Sequence, residues 1–281
     1  MVESLTIRNH QFNWCTRTFL MGILNVTPDS FSDGGKFNQI ETALNQAMMM
    51  VKDGADIIDI GGESTRPGSL EITLEEELER VIPVITALRH QSDIPISIDT
   101  TRAMVAKKAI AVGADIVNDI SAGTFDDQML PTVAKLNVPI ILMHIRGNPH
   151  TMQNLTDYQD LIEEINQFFQ ERVTEGIKLG IKKEHIILDP GIGFAKNYQQ
   201  NLDILRNIKQ IRKLDFPVLI GTSRKSFIGK ILNQENPQRR IWGTAASCSY
   251  AITQGANILR VHDVKEMYDI AKVTDALIFH Y

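Results

Sequence analysis

The sequence predicts an α/β protein of the (β/α)₈ barrel type, and three observations support this fold class. Eight short runs of aliphatic and β-branched residues alternate with longer stretches of helical periodicity. The runs are apolar along most of their length, as strands must be in a parallel sheet that is covered on both faces. The 281 residues suit eight βα units in one domain. A closed barrel therefore fits better than the alternative, an open doubly wound sheet.

Each element follows from this alternation. The predicted strands are Phe19–Val26, Asp56–Gly61, Pro95–Thr100, Asp115–Ile120, Pro139–His144, His185–Pro190, Pro217–Thr222 and Ile258–Asp263. The predicted helices are Ile40–Lys52, Thr73–His90, Ala103–Val112, Asp126–Leu136, Tyr158–Leu179, Asn201–Lys213, Gly243–Gln254 and Val264–Phe279. Leu5–Trp14 precedes the first unit and is predicted to be a hairpin that plugs the bottom of the barrel. With no linker or composition shift in the chain, residues 1–281 are predicted to form one domain.

Two local patterns support the helix ends. Thr73 and Glu76 have the spacing of a capping box at a helix start. The join Gly-Ala-Asp, or Gly-Ala-Asn, occurs at residues 54–56, 113–115 and 255–257. Glycine suits the left-handed residue that ends a helix, so the join predicts a helix followed by a strand.

Composition excludes several function classes. The net charge of −5 provides no global basic field for nucleic acid. The longest apolar runs are too short to span a membrane, and the first 14 residues lack the apolar core of a signal peptide. Cys15 and Cys248 are too few for a disulfide framework. A reducing, cytoplasmic setting is therefore expected.

Chemistry is expected at the carboxyl ends of the strands, where barrel enzymes carry their active sites. Most strands end in, or are followed by, polar residues: Asn25, Glu63–Arg66, Asp99, Asn118–Asp119, His144, Asp189, Ser223–Lys225 and Arg260–Asp263. Carboxylates and amides suit a heterocycle with ring N–H groups. The basic set of Arg66, Arg224, Lys225, Arg260 and His262 suits phosphate or carboxylate. Together they indicate a heterocycle that bears an anionic group.

Two loops and one strand end refine this hypothesis. The loops of residues 25–35 and 61–68 are long for connections of this type and are rich in glycine and hydroxyl groups. They are predicted to be mobile lids over the site. The alternative is that they are two solvated turns. Arg260 and His262 are two residues apart on a strand and so share a face. A joint anion-binding role is favoured over a structural role for His262.

Other motifs are weaker. Gly191 and Gly193 lack the third glycine of a dinucleotide-binding fingerprint. His144 and His150 have no partner at a familiar zinc-ligand spacing. Cys248 lies in a predicted helix without an obvious base and is interpreted as a core residue.

These segments together resemble the dihydropteroate synthase family. The matching pieces are residues 24–35, 61–68, 98–100, 118–120, 142–144 with 151–153, 188–194, 222–226 and 260–264. The resemblance covers essentially the whole chain in order, and the first two motifs are long and specific. Thr101-Arg102 differs mildly from the Ser-Lys expected there.

The resemblance implies a (β/α)₈ barrel and a reaction in folate synthesis. Such enzymes condense 6-hydroxymethyl-7,8-dihydropterin pyrophosphate with p-aminobenzoate, are sulfonamide targets and are usually homodimers. By resemblance, the pterin is held by Asp99, Asn118, Asp189 and Lys225, with Met143 and Phe194 lining its pocket. The resemblance also implies that Asn25 binds Mg²⁺, that Thr65, Arg66, Arg260 and His262 contact the phosphate or pterin end, and that Ser226, Phe31 and Pro67 form the aminobenzoate site. The expected catalytic residues are Asp99, Lys225, Arg260 and His262.

Two alternatives remain at this point. A pterin-dependent methyltransferase on the same barrel would share the pterin-binding carboxylate and amides, but would not need Arg260 and His262 or the first lid. A non-catalytic barrel that has kept the pocket belongs to a different class, and the two lids and the basic set argue against it.

Overall fold

The computed structural model describes residues 2–27, 36–64 and 71–279. Its strands are β1 (Ser4–Ile7), β2 (His10–Asn13), β3 (Phe19–Asn25), β4 (Ile57–Gly61), β5 (Ile96–Asp99), β6 (Ile116–Asp119), β7 (Ile140–Met143), β8 (Ile186–Asp189), β9 (Leu219–Ile220) and β10 (Ile258–Val261). Its helices are α1 (Lys36–Lys52), α2 (Leu74–Gln91), α3 (Ala103–Ala111), α4 (Met129–Leu136), α5 (Leu161–Lys178), α6 (Tyr198–Arg206), α7 (Ile208–Ile211), α8 (Ser226–Leu232), α9 (Ile241–Thr253) and α10 (Val264–Ile278).

The strands from β3 to β10 form a closed parallel barrel. Each strand from β3 to β8 pairs with the next one along the chain, and β10 lies between β3 and β9. A parallel bridge between Leu188 and Val218 joins β8 to the residue before β9 and closes the ring. The predicted barrel is confirmed, and the open sheet is excluded because its two edge strands would not meet.

The apolar strands are buried on both faces, as their composition requires. Every residue of β4, β6, β7 and β8 is buried between the barrel interior and the surrounding helices. The register places Asp99 beside Asn118, and Met143 beside Asp189. Register partners in a parallel sheet point to the same face, so the polar strand ends face one another across the barrel mouth.

The predicted N-terminal hairpin is confirmed. Strands β1 and β2 pair antiparallel, with Ser4 opposite Asn13. The ring centroid of Phe19, at the start of β3, lies 4.8 Å from that of Phe12 and 5.5 Å from that of Trp14. The carbonyl of Trp14 accepts a hydrogen bond from Asn257, which precedes β10. This aromatic cluster therefore covers the amino-terminal end of the barrel, opposite the polar strand ends.

The repeated Gly-Ala-Asp join has a structural role that the sequence only partly revealed. The glycine of each join has φ near +100°, a backbone conformation that would be strained in a residue with a side chain. These glycines are Gly54, Gly113 and Gly255. The third residue of each join then accepts a hydrogen bond from the neighbouring strand. Asp56 accepts from the N–H of Leu20, Asp115 from that of Ile96 and Asn257 from that of Val218. The repeat thus links strands at the bottom of the barrel.

The helices differ from the prediction in two places. Helix α8 lies in a stretch that was not among the predicted helices. The stretch predicted as one helix over Asn201–Lys213 divides into α6 and α7 at Asn207. The Asn207 amide donates to the carbonyl of Asp203, and the residue leaves helical backbone angles. The capping box of Thr73 and Glu76 is confirmed. Within the described ranges, no helix has both the length and the apolar character needed to cross a membrane.

We expect Asp115→Ala to lower the free energy of unfolding by about 1.5–3 kcal/mol, the contribution of a hydrogen bond to a charged group. The Asp115 carboxylate accepts from Ile96 N–H at 2.9 Å, Arg89 at 2.6 Å and Arg8 at 2.6 Å. Urea unfolding measures the change. Asp93→Ala is the matched control, because Asp93 also contacts Arg8 but its side chain is 76% exposed. Equal losses in the two variants would contradict the assignment.

Candidate active site

The polar residues at the carboxyl end of the barrel converge around Arg260. Its Nε donates to Oδ2 of Asp59 at 2.6 Å, and its Nη2 donates to Oδ2 of Asp99 at 2.5 Å. Strand β3 separates β10 from β4, so the Arg260 side chain reaches past one strand to contact the next two. The amide of Asn118 donates to the same Asp59 oxygen at 3.1 Å. One cation therefore joins two carboxylates and indirectly an amide, all from different strands.

Burial and mutual repulsion perturb these acids. The pKa of Asp99 is raised to about 7, mainly by burial; the charge of Arg260 acts in the opposite direction, and the negative charge of Asp59 adds to the increase. For Arg260, burial lowers the pKa, but the two carboxylates outweigh it and the net pKa is raised. A carboxyl group whose pKa lies near neutrality in a polar cleft is typical of a functional site.

Asp59 is a site residue that our sequence interpretation did not include. It is fully buried, and its Oδ1 has no hydrogen-bond partner among the described residues. The neighbouring Ser97 on β5, its register partner, also has an unsatisfied hydroxyl. The signal was present, because a single acid interrupts the otherwise apolar β4, and such a charge is buried only when a partner compensates it.

Asp189, Phe194 and Lys225 form the opposite wall. Asp189 is buried at the end of β8, and its Oδ1 accepts from the N–H of Gly191 at 2.8 Å. Burial raises its pKa, whereas the Gly191 N–H and the Lys225 charge lower it. The Lys225 ammonium lies 4.3 Å from the ring centroid of Phe194. Met143 is buried beside them with Ile120 and Met152. This wall combines a carboxylate, a cation and an apolar surface, which suits a flat polar ring.

His262 and Arg260 point to different partners. His262 shares a hydrogen bond between its Nδ1 and the hydroxyl of Ser223 at 2.9 Å, and its backbone N–H donates to the same hydroxyl. Arg224 makes a bidentate ion pair with Asp263, so its guanidinium is held by the fold. Ser226 is exposed at the first position of α8. Of the predicted basic set, His262 and Arg260 thus lie at the mouth with separate anchors.

A cavity of about 870 Å³ opens beside Asp99. The loops after β4 to β7 line it, and Asp99 is the one predicted site residue on the described part of its wall. The lining includes Glu63 and Glu77, both paired with Arg102. The other described residues predicted to hold the pterin, Asn118, Asp189 and Lys225, do not line this cavity.

Some predicted residues lie outside the part that the structure describes: Phe31, Thr65, Arg66 and Pro67. Asn25 is described, at the end of β3, and is half-buried there. Among the described residues, no cluster of three or more histidine, cysteine or acidic side chains has a geometry suited to a metal ion. His144 shares a hydrogen bond with the buried amine of Lys196. Our sequence interpretation did not include Lys196.

The comparisons with known proteins agree with this geometry. The family model described as pterin binding enzyme matches residues 21–262. The dihydropteroate synthase of Synechocystis sp. is 60% identical over 266 residues, covering 95% of this chain and 92% of the relative. A dihydropteroate synthase from Clostridium difficile, solved in the presence of pteroic acid, has a TM-score of 0.90 and 46% identity, covering 95% of this chain and 99% of that one. A Xanthomonas albilineans dihydropteroate synthase with 4-aminobenzoic acid has a TM-score of 0.92 and 39% identity, covering 99% of both chains.

We expect Asp59→Asn to lower the pKa of Asp99 from about 7 towards its usual range. The substitution removes a negative charge that repels the Asp99 carboxylate and leaves Arg260 with Asp99 as its remaining carboxylate partner. Carbon-13 NMR titration of the aspartate side chains measures the shift. Asp275→Asn is the control, since Asp275 is buried at the other end of the barrel, where it accepts from Thr18. An unchanged or higher pKa of Asp99 in Asp59→Asn would show that Asp59 does not act on it.

Proposed function

Since the chain belongs to the pterin-binding enzyme family and acts as a dihydropteroate synthase, we propose that the barrel mouth described above is where it binds and activates its pterin substrate. The reaction joins 6-hydroxymethyl-7,8-dihydropterin pyrophosphate to p-aminobenzoate and releases pyrophosphate. The observation that carries the proposal is the buried network of Arg260, Asp59 and Asp99 beside Asp189 and Lys225.

The pterin ring is assigned to the space between Asp99 and Asp189. A pterin presents a guanidine-like edge with several N–H groups, and the Asp189 carboxylate can accept two of them. The Asn118 amide can both donate and accept hydrogen bonds, so it suits the part of the pterin ring where donors and acceptors alternate. Phe194 and Met143 supply flat apolar contacts, and Lys225 supplies a donor to a ring carbonyl.

Pyrophosphate is assigned to the end of the mouth near β10 and β3. The His262 ring and the remaining donors of Arg260 lie at this edge, and Thr65 and Arg66 are expected to contribute from the second lid. Mg²⁺ commonly binds through one or two protein oxygens plus substrate phosphates, and the Asn25 amide oxygen fits that pattern. A bound Mg²⁺ would neutralise part of the pyrophosphate charge.

The residues in the centre of the mouth suit a dissociative step. As the bond from the pterin methylene to the pyrophosphate oxygen breaks, positive charge develops on the electron-rich ring. The ionised Asp99 carboxylate, held by Arg260, can stabilise that charge in a site from which water is largely excluded. The amine of p-aminobenzoate then forms the new C–N bond, and the released pyrophosphate can accept the proton that the amine gives up. In the described part of the mouth, we find no side chain positioned as a strong base for this amine.

The aminobenzoate is assigned to the outer part of the mouth. Ser226 is exposed there and is expected to contact the carboxylate, while Phe31 and Pro67 are expected to shape the pocket from the lids. The relative from Xanthomonas albilineans was solved with 4-aminobenzoic acid, which supports a site for this compound in the fold.

The assembly and the compartment are further parts of the proposal. A homodimer is expected from the resemblance, and exposed apolar residues on the last helices suit such a contact. Trp242 and Tyr250 recur at the interval of one helix face on α9, and Val273 and Leu277 on α10, which packs beside it. The small number of cysteines supports a cytoplasmic setting. No described feature favours the methyltransferase alternative over the synthase.

We expect the purified chain to release pyrophosphate only when pterin pyrophosphate, p-aminobenzoate and Mg²⁺ are all present. The assay measures the dihydropteroate formed, with EDTA and a methyl-donor folate as the comparison conditions. Undiminished turnover in EDTA would remove the role given to Mg²⁺ at Asn25.

Asp189→Asn should weaken binding of the free pterin, measured by calorimetry, by about 1.5–3 kcal/mol, because one charge-assisted hydrogen bond is lost.

We expect kcat to fall as the pH drops below about 7, because Asp99 then becomes protonated and loses the charge that stabilises the cation. Its folded pKa is raised above the usual value of about 3.9, so the ionised fraction decreases already near neutrality. Asp99→Asn should lower kcat by about 100-fold, with little change in KM, and should abolish this pH limb. Titration of the substrates affects both enzymes equally, so a limb that persists in the variant would belong to another group.

A further inference from the structure

A buried basic pair lies behind the pterin-binding wall. Lys196 is 2% exposed and His144 is 3% exposed. The Lys196 amine lies 2.8 Å from Nδ1 of His144 and donates to the carbonyl of the same residue at 3.1 Å. No ion pair links Lys196 to an acid in the part of the chain that the structure describes. A lysine this deeply buried without such a pair is rare, because burying an unpaired amine costs free energy unless hydrogen bonds compensate it.

The hydrogen bonds of this pair are satisfied without a carboxylate. Burial lowers the pKa of both Lys196 and His144 well below their usual values. The charged groups around the amine are Asp189, which favours its protonation, and Lys225 and Arg146, which oppose it. A neutral His144 with its proton on Nε2 leaves Nδ1 free to accept, and its carbonyl accepts a second bond. The amine is therefore fixed at two points on His144, the residue that follows β7.

The pair anchors the loop that carries two pterin-binding residues. This loop, residues 189–196, runs from the end of β8 towards α6, and Lys196 is its last residue. Its first residue, Asp189, is tied to the same anchor, because its carbonyl accepts from the N–H of His144 at 2.9 Å. Between these two points, the loop passes directly over the His144 carbonyl. A Cβ at Gly191 would lie 2.1 Å from that oxygen and 3.1 Å from the Lys196 amine, and Gly191 has φ of +71°.

The loop is also held at further points, one of which is Gly193, whose N–H donates to Oδ1 of Asn201 at 2.6 Å. Ala195, with φ of +51°, presents its carbonyl to the hydroxyl of Tyr158 at 3.0 Å. Phe194 is thereby fixed between this bond and the Lys225 ammonium. Without the amine of Lys196, the end of the loop would lose its hydrogen bonds to His144, and the positions of Phe194 and Asp189 would be set less tightly.

We propose that Lys196 is a positioning residue for pterin recognition, which acts by clamping the loop 189–196 to both the ring and the carbonyl of His144. It touches no substrate itself. This inference rests on the proposed pterin site and adds that the precision of that site depends on a buried amine behind it. Positioning of this kind affects binding strongly, because small displacements of contacting groups weaken several interactions together.

The test is Lys196→Met, which keeps the length and apolar stem of the side chain but removes the donors. Lys209→Met on the exposed side of α7 is the matched control. We expect the Kd for free 6-hydroxymethylpterin, measured by calorimetry, to rise about tenfold to a hundredfold. The KM for p-aminobenzoate at saturating pterin pyrophosphate should stay within about twofold, because this loop does not contribute to that site. Equal losses for both substrates, or an unchanged pterin Kd, would overturn the proposal.

A spectroscopic readout separates positioning from general destabilisation. Nitrogen-15 NMR of His144 reports whether Nδ1 accepts a hydrogen bond. Its resonance should move in Lys196→Met and stay unchanged in Lys209→Met. Lys196→Gln, which restores one donor, should recover part of the pterin affinity, and it replaces the Met variant if that fails to fold. Failure of the wild-type chain itself to bind pterin would instead contradict the proposed function.

Discussion

The ion pairing of Arg260 with Asp59 and Asp99 is the interaction on which the site depends. Removing ions from water costs several kcal/mol each, and in the low dielectric of the barrel interior this cost is offset only by close and well-directed partners. Arg260 is such a partner for both acids, because its planar guanidinium donates one short hydrogen bond to Asp59 and one to Asp99. Burial, together with the neighbouring charge of Asp59, outweighs the effect of Arg260 and leaves Asp99 with a pKa of about 7. A single residue of the last strand therefore holds the two carboxylates at the centre of the mouth in place and partly balances their charge.

The closed barrel makes that arrangement possible. Asp59, Asp99 and Arg260 lie on three strands that are far apart in sequence, yet closure brings β10 beside β3 and so within reach of β4 and β5. At the opposite end, the aspartate and asparagine residues of the Gly-Ala-Asp joins bond neighbouring strands, and the N-terminal hairpin covers the opening. Stability is concentrated at the bottom, which leaves the top free to carry polar and charged groups, as barrel enzymes generally do.

The two halves of the mouth are stabilised by different means. On the β10 side, charged groups pair directly with each other. On the β8 side, a loop with several left-handed residues is held from behind by Lys196 and His144, while Asp189 and Phe194 belong to the proposed pterin site. A carboxylate held by backbone N–H groups keeps its lone pairs aimed at a ligand, whereas a carboxylate held by arginine keeps its charge balanced. These roles suit recognition for Asp189 and charge stabilisation for Asp99.

The sequence by itself determined the barrel, because continuous apolar strands, amphipathic helices and the Gly-Ala-Asp repeat are local patterns with local physical causes. It also indicated where the polar residues gather, since the carboxyl ends of parallel strands meet at one end of a closed barrel. It did not reveal that Asp59 belongs to the network, that Arg260 and His262 diverge, or that Lys196 is buried against His144. Those facts depend on which side chains meet across the barrel, on how deeply each is removed from water and on which partners remain to compensate its charge. Only the tertiary structure decides these, because the energy of a buried charge is set by neighbours that are distant in the chain.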